Sequence, residues 1–311
     1  MLINNQNINI ITEKEMHCYV SKRLNIRIRN DRFIEFEKCC VLSVNGERLS
    51  TISFDDFYNL PNIWKYLEQV SNIIPQNHNY KIPERYPIFC NHSKICNYAN
   101  HQLQEIQVEI FGCNLNCIMC PLEKTAPRES VEMYWHILNL IKNHNLYKIS
   151  PTAAGEPFLQ KNKMIDYICS LTNKDTQEFD IITNATLLNK EDIIKIAEAT
   201  KRNNIILRFT VSCDSKDKNT YLKIRKNATP KLYEKVIENI FILKEYNLLN
   251  NINIVIQPEN APTIYKDIEF WKNNNINFRV FPIRYMNKKL DKIIELIENI
   301  KKDFPDNFFD S

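Results

Sequence analysis

Glycine is nearly missing from this sequence, with only three in 311 residues, at 46, 112 and 155. Where it is so scarce, each one that remains marks a backbone position that tolerates little else. A charge of one sign is lacking too: 41 Lys and Arg against 37 Asp and Glu leave a net charge of +4. The signs alternate along the chain instead of gathering into a basic stripe, so no nucleic-acid partner is indicated. No stretch approaches the ~20 apolar residues that span a bilayer, and the opening MLINNQNINI has no basic start followed by an apolar run. These absences point away from a membrane and towards a cytoplasmic location, in which the sequons at Asn91, Asn184 and Asn227 are incidental. The ten cysteines are then candidates for metal or redox chemistry rather than disulfides. The length, with 44% hydrophobic residues, suffices for one large core or a core plus a small satellite.

From residue 105 onward, β-rich runs alternate with helical patterns: EIQVEIF, YKISPT, FDIIT, IILRFTVS, INIVI and NFRVF. Between them, apolar residues recur at helical spacing, as in Tyr233, Val236, Ile237, Ile240 and Leu243, or Leu290, Ile293, Ile294, Ile297 and Ile300. Asn189 with Asp192 forms a plausible helix start. Strand-then-helix units repeated in this way imply an α/β fold whose parallel sheet curls, through right-handed connections, into a partial or complete barrel over residues 105–302. Functional groups then belong at the C-terminal ends of the strands. Residues 1–104 read as a separate small α+β module, with alternation around RFIEFEKCCVLSV, a turn at Asn45-Gly46 and a helical stretch near FYNLPNIWKYLEQVSNII. The Pro-bearing QNHNYKIPERYP is the expected linker, and residues 303–311 form a C-terminal tail.

Directly after the first barrel strand come Cys113, Cys117 and Cys120. A structural zinc site closes its tetrahedron with four ligands, and no fourth Cys or His follows in this loop. Three thiolates instead hold three irons of a four-iron, four-sulfur cluster and leave the fourth iron open.

This C-x3-C-x2-C spacing resembles the signature of the radical S-adenosylmethionine (radical SAM) superfamily. Three further segments resemble family landmarks in the same order. AAGEP at 153–157 resembles the Gly-Gly-Glu-Pro motif that receives the methionine amino group, TNATLL at 183–188 resembles Thr-Asn-Gly-Thr-Leu, and VSCDSKDKNTYLKIRKNA at 211–228 resembles the fourth-strand segment. The resemblance implies a partial (β/α)6 radical SAM barrel with a 4Fe-4S cluster on Cys113, Cys117 and Cys120. It also implies SAM contacts from Met119, Ala154, Gly155, Glu156, Asn184, Ser212 at the ribose and Arg225 at the carboxylate. The activity implied is reductive cleavage of SAM, with an electron from an external flavodoxin- or ferredoxin-type donor. The resulting 5′-deoxyadenosyl radical then takes a hydrogen atom from a peptide or sugar-type substrate. The residues themselves suit these roles: Glu156 can accept from an ammonium, Gly155 permits close backbone approach, and Arg225 offers a fork matching a carboxylate. Asn184 reads equally as a turn residue. Cys213 and Asp214 read as structural, or as a hydrogen-atom donor and a proton acceptor at the barrel mouth, and Cys169 reads as core.

The chain departs from the family pattern in three ways. Met119 stands where an aromatic residue usually meets the adenine, and Ala153-Ala154 replace two glycines. No cysteine follows Cys213, so the cysteine-rich C-terminal SPASM extension is absent behind the barrel. Residues 38–100 resemble a degraded SPASM segment placed in front instead, with Cys39, Cys40, Cys90 and Cys96 as its cysteines. Cys40, Cys90 and Cys96 are thus candidate ligands of an auxiliary site, against the alternative of unpaired thiols. Two other functional classes remain open, a non-catalytic iron-sulfur or zinc-binding module and a catalytically degenerate partner subunit. With every SAM landmark in the barrel, substrate recognition falls to residues 1–104, and a truncation starting near 104 is expected to keep the cluster.

Overall fold

The computed structural model describes residues 23–38, 47–71, 103, 105–151, 155–283 and 293–308. The candidate auxiliary cysteines Cys40, Cys90 and Cys96, together with Cys39, the Asn45-Gly46 turn and Ala153-Ala154, lie outside them. The six expected barrel strands are present as β4 (Glu105–Ile110), β5 (Leu146–Pro151), β6 (Thr176–Thr183), β7 (Ile206–Ser212), β8 (Leu249–Ile256) and β9 (Phe278–Pro282). Each pairs in parallel with the next, through helices at Arg128–Ile141, Lys161–Ser170, Lys190–Asn203, Pro230–Glu245 and Ile264–Asn273. This is the partial barrel that the strand–helix alternation predicts. The Asn189–Asp192 pair forms a reciprocal capping box, and Thr229 caps the next long helix with Pro230 in its first turn.

Scarce glycine leaves the left-handed positions that end helices and shape turns to another residue. Asn143, Asn145, Asn204, Asn227, Asn247 and Asn275 all have positive φ. Asparagine tolerates that region best among residues with a Cβ, because its short amide bonds locally to the backbone.

The N-terminal segment is not a separate layer. Strand β1 (Arg23–Ile28) pairs in parallel with β4, while β2 (Phe33–Lys38) and β3 (Glu47–Ser53) continue antiparallel beyond it, giving one nine-stranded sheet in the order β3-β2-β1-β4-β5-β6-β7-β8-β9. Register explains the join. Leu24, Ile26 and Ile28 stand opposite Ile106, Val108 and Ile110 and bury one apolar face, while Asn25 and Arg27 meet Gln107 and Glu109 on the other. There the Arg27 guanidinium bonds Glu109 at 3.1 Å and Glu37 at 2.9 Å. A truncation near residue 104 therefore strips β4 of its hydrogen-bonded neighbour, which the reading of an independent module did not foresee. The helical stretch predicted after β3 is two helices, Phe54–Tyr58 and Ile63–Ser71, because Pro61 disfavours helical backbone at Leu60. The C-terminal segment also docks: Val280 N–H donates to the Asn307 carbonyl at 2.8 Å, and Asn307 Nδ2 to the Phe278 carbonyl at 2.9 Å. No helix among the described residues is long and apolar enough to cross a membrane.

Candidate active site at the C-terminal strand ends

The loop after β4 closes on itself at its base, where Gly112 N–H donates to the Glu123 carbonyl at 3.2 Å and Cys113 N–H to the Lys124 carbonyl at 3.0 Å. Cys113, Cys117 and Cys120 ride on this closed loop, all partly exposed and free of disulfides. Burial pushes the Cys113 and Cys117 thiols above their ordinary range, an effect opposed at Cys117 by the Arg225 charge. Among the described residues no three Cys, His, Asp or Glu side chains converge to hold a single metal ion.

Gly112 and Gly155 show why two of the few glycines are here. Gly112 has φ +113°, which side-chain-bearing residues rarely adopt. A Cβ on Gly155 would lie 2.4 Å from the Gly112 carbonyl oxygen and 2.7 Å from that of Ile110, so the β4 and β5 ends meet backbone to backbone. The contact is sealed by Glu156 N–H donating to the Gly112 carbonyl at 2.8 Å. The close approach expected of Gly155 is thus met by the neighbouring loop.

Glu156 is 4% exposed and takes three hydrogen bonds: from Thr183 Oγ1 at 2.7 Å, Asn184 N–H at 2.7 Å and Phe158 N–H at 3.1 Å. Burial raises its pKa to about 7, outweighing the donors, which favour the charged form. With so much of its acceptor capacity engaged, Glu156 ties the end of β5 to the end of β6. Asn184 is equally committed. Its Nδ2 contacts Cys113 Sγ at 3.6 Å and donates to Asn114 Oδ1 at 3.0 Å, while its Oδ1 accepts from Thr186 N–H at 3.0 Å.

Arg225 follows the Lys218–Ile224 helix and is 3% exposed. Its Nη2 bonds Asp214 Oδ2 at 2.7 Å, its Nη1 reaches Cys117 Sγ at 3.7 Å, and its buried Nε has no partner. Asp214, read from sequence as structural or a proton acceptor, is the counter-ion of Arg225. Cys213 is fully buried, contacts the Ser215 carbonyl at 3.5 Å and has a pKa pushed up to about 12 by burial, which suits a core thiol.

The strand ends enclose one cavity of about 360 Å³, from whose lining the core residue Cys213 is excluded. Cys113, Cys117, Met119, Cys120, Gly155, Glu156, Asn184, Ser212 and Arg225 all face it, so the structure gathers every described residue that the sequence singled out for the cluster or SAM. It adds Thr183, Asn253, Val255 and Phe281, which sequence reasoning missed. Asn253 and Val255 alternate along β8, as inward-facing residues of a strand do, and that period was the available signal. Three soft thiols, with a buried cation touching one of them and an unpartnered guanidinium nitrogen, form a donor set that fits an anionic iron-sulfur cluster and a carboxylate-bearing ligand.

No curated protein matches the chain. Among solved structures it is similar to anSMEcpe with bound AdoMet, at 18% identity and a TM-score of 0.47, covering 65% of this chain and 58% of that one. It is also similar to methylornithine synthase (PylB), at 11% identity and a TM-score of 0.44 over 67% of this chain and 64% of that one. A third is the radical S-adenosylmethionine methyltransferase TsrM from Kitasatospora setae with cobalamin and a 4Fe-4S cluster bound, at 12% identity and a TM-score of 0.42 over 74% and 41%. The chain spans less than two thirds of the length of each of these three. Residues 110–270 match the family model of the Radical SAM superfamily. That match runs from the end of β4 into the Ile264–Asn273 helix and takes in the three cysteines and the cavity-lining strand ends from β4 to β8, while the β9 end at Phe281–Ile283 lies beyond it. With just over half of its length matched, the chain belongs to the radical SAM superfamily, whose members use a 4Fe-4S cluster and S-adenosylmethionine.

Proposed function

We propose that the protein reductively cleaves S-adenosylmethionine at a 4Fe-4S cluster held by Cys113, Cys117 and Cys120, and abstracts a hydrogen atom from a peptide or sugar-type substrate in a modification pathway. The observation that carries this reading is the convergence of the three thiols with Gly155, Glu156, Asn184, Ser212 and Arg225 on one cavity at the C-terminal strand ends. Cys113, Cys117 and Cys120 would hold the cluster, which would supply the electron for reductive cleavage of the sulfonium, with a flavodoxin- or ferredoxin-type protein as the external donor.

The chain's own part is orientation and exclusion of water. Met119 offers a polarizable thioether to the adenine, and Ser212 a hydroxyl to the ribose. Backbone groups at Gly155 would receive the methionine ammonium, next to Glu156, which is fixed by its bonds to Thr183, Asn184 and Phe158. Substrate recognition is assigned to residues 1–104. What supports this is the β1–β2 turn, where Asn30 Nδ2 donates to the Thr125 carbonyl at 3.2 Å and pairs with Glu123, both on the cysteine loop.

The test is anaerobic reconstitution with iron and sulfide, followed by measurement of 5′-deoxyadenosine under a strong reductant. Full-length protein is expected to produce it and a Cys113→Ala/Cys117→Ala/Cys120→Ala variant to produce none. Equal production by both refutes the reading. Deoxyadenosine formation accelerated by a peptide or by a sugar, and deuterium transfer from that compound, identifies the substrate class.

A further inference from the structure

The buried pair Arg225–Asp214 is built into the fold from both sides. Asp214 follows β7, and its Oδ1 accepts from Val255 N–H on β8 at 3.0 Å, while its carbonyl accepts from Asn260 Nδ2 at 2.8 Å. Arg225 is 108 residues from Cys117 in sequence, yet the two form an antiparallel bridge, flanked by Ile118 N–H donating to the Ile224 carbonyl at 2.9 Å. The guanidinium is therefore held from below by a carboxylate that is itself 1% exposed, and its other edge rests on the Cys117 sulfur at 3.7 Å. The Tyr221 ring, with its centroid 5.4 Å from the guanidinium carbon, covers a further side. A planar cation gripped in this way cannot swing out to a ligand without leaving a bare buried aspartate, which is strongly unfavourable.

We propose that Arg225, braced by Asp214, is a positioning residue for the cysteine loop and a redox-tuning cation for the cluster, in addition to any contact with SAM. The inference rests on the proposed cluster at Cys113, Cys117 and Cys120. Its physical basis is an N–H donor and a fixed positive charge beside the Cys117 sulfur. Both stabilise a thiolate ligand, and both favour the reduced cluster, which is one electron more negative, over the oxidised one. The electron comes from the external one-electron donor, and no bond in the protein changes.

The test uses full-length wild type, Arg225→Gln and Arg225→Lys, each reconstituted anaerobically. Iron and sulfide per chain are measured, and the midpoint potential is followed by electron paramagnetic resonance with no SAM present. Loss of the cation in Arg225→Gln is expected to make reduction at least tenfold less favourable, about 59 mV for a one-electron couple. Arg225→Lys keeps a charge but loses the fork, so it should fall between the two. If Arg225→Gln does not fold, the Lys variant decides alone, because a midpoint displaced in the same direction supports the proposal and an unmoved one overturns it. A role confined to the SAM carboxylate would weaken SAM binding while leaving the midpoints of the SAM-free proteins identical, and that result overturns the proposal. A wild type that takes up no cluster overturns the proposed function itself, whereas a wild type with a cluster and unshifted variants overturns only this inference.

Discussion

Replacing Gly155 with alanine adds one methyl group at a position where the β4 and β5 ends touch. That carbon would sit 2.4 Å from the Gly112 carbonyl oxygen and 2.7 Å from the Ile110 carbonyl oxygen, against a floor of 3.0 Å for real Cβ contacts. Relief requires a separation of 0.6 Å at the first contact, the difference between 3.0 and 2.4 Å. Both obstructing atoms are backbone, so no rotamer change helps. The same movement stretches the Glu156 N–H bond to the Gly112 carbonyl from its 2.8 Å. Overpacking of this kind costs roughly 1–3 kcal/mol, and a buried hydrogen bond lost with it about 1 more, so Gly155→Ala should destabilise by about 2–4 kcal/mol. Urea unfolding followed by tryptophan fluorescence reads this directly, with the buried Trp135 and Trp271 as reporters. The same variant should hold less iron after reconstitution, since the cysteine loop begins at the displaced carbonyl. A loss below about 0.5 kcal/mol with full iron content would show that the two strand ends do not pack as described.

Three further outcomes follow from the same geometry. Asn184→Ala removes the contacts to Cys113 and Asn114, so cluster retention measured as iron per chain should fall, with about 1–3 kcal/mol lost in urea unfolding; unchanged values in both would contradict the anchoring role. Glu156 has a pKa raised from 4.5 to about 7 in the fold, so the folded state binds more protons than the unfolded one between those values. Its contribution is most favourable below pH 4.5 and is lost as pH rises through 7, by up to about 3 kcal/mol; Glu156→Gln should flatten that part of the stability profile, and an unaltered slope would refute the assignment. Deleting residues 304–311 removes the bonds from Asn307 to Val280 and Phe278 and uncovers β9, so size-exclusion chromatography should show self-association; a monomer of undiminished stability would mean that the segment protects nothing.

The six barrel strands, several of the helices and the cysteine loop were legible in the sequence because their signals are local, whereas β1 at Arg23–Ile28 was not read as a strand. Alternation along EIQVEI or helical spacing from Tyr233 to Leu243 needs only a few neighbouring residues, and the three cysteines lie within eight positions. Tertiary structure decided what lies far apart in the chain. Nothing near Arg225 indicates that its guanidinium would meet Cys117, 108 residues away, or that Glu156 would be claimed by Thr183 and Asn184, 27 and 28 residues on. Those pairings exist because parallel strands bring their C-terminal ends side by side, while the connecting helices carry the chain around the outside. The N-terminal strands show the same division. Their alternation is visible in RFIEFEK, but whether they form a layer of their own or extend the barrel depends on the β1–β4 register, which matches Leu24, Ile26 and Ile28 to Ile106, Val108 and Ile110. Apolar periodicity tells which face of a strand is buried, and only the assembled sheet tells against what.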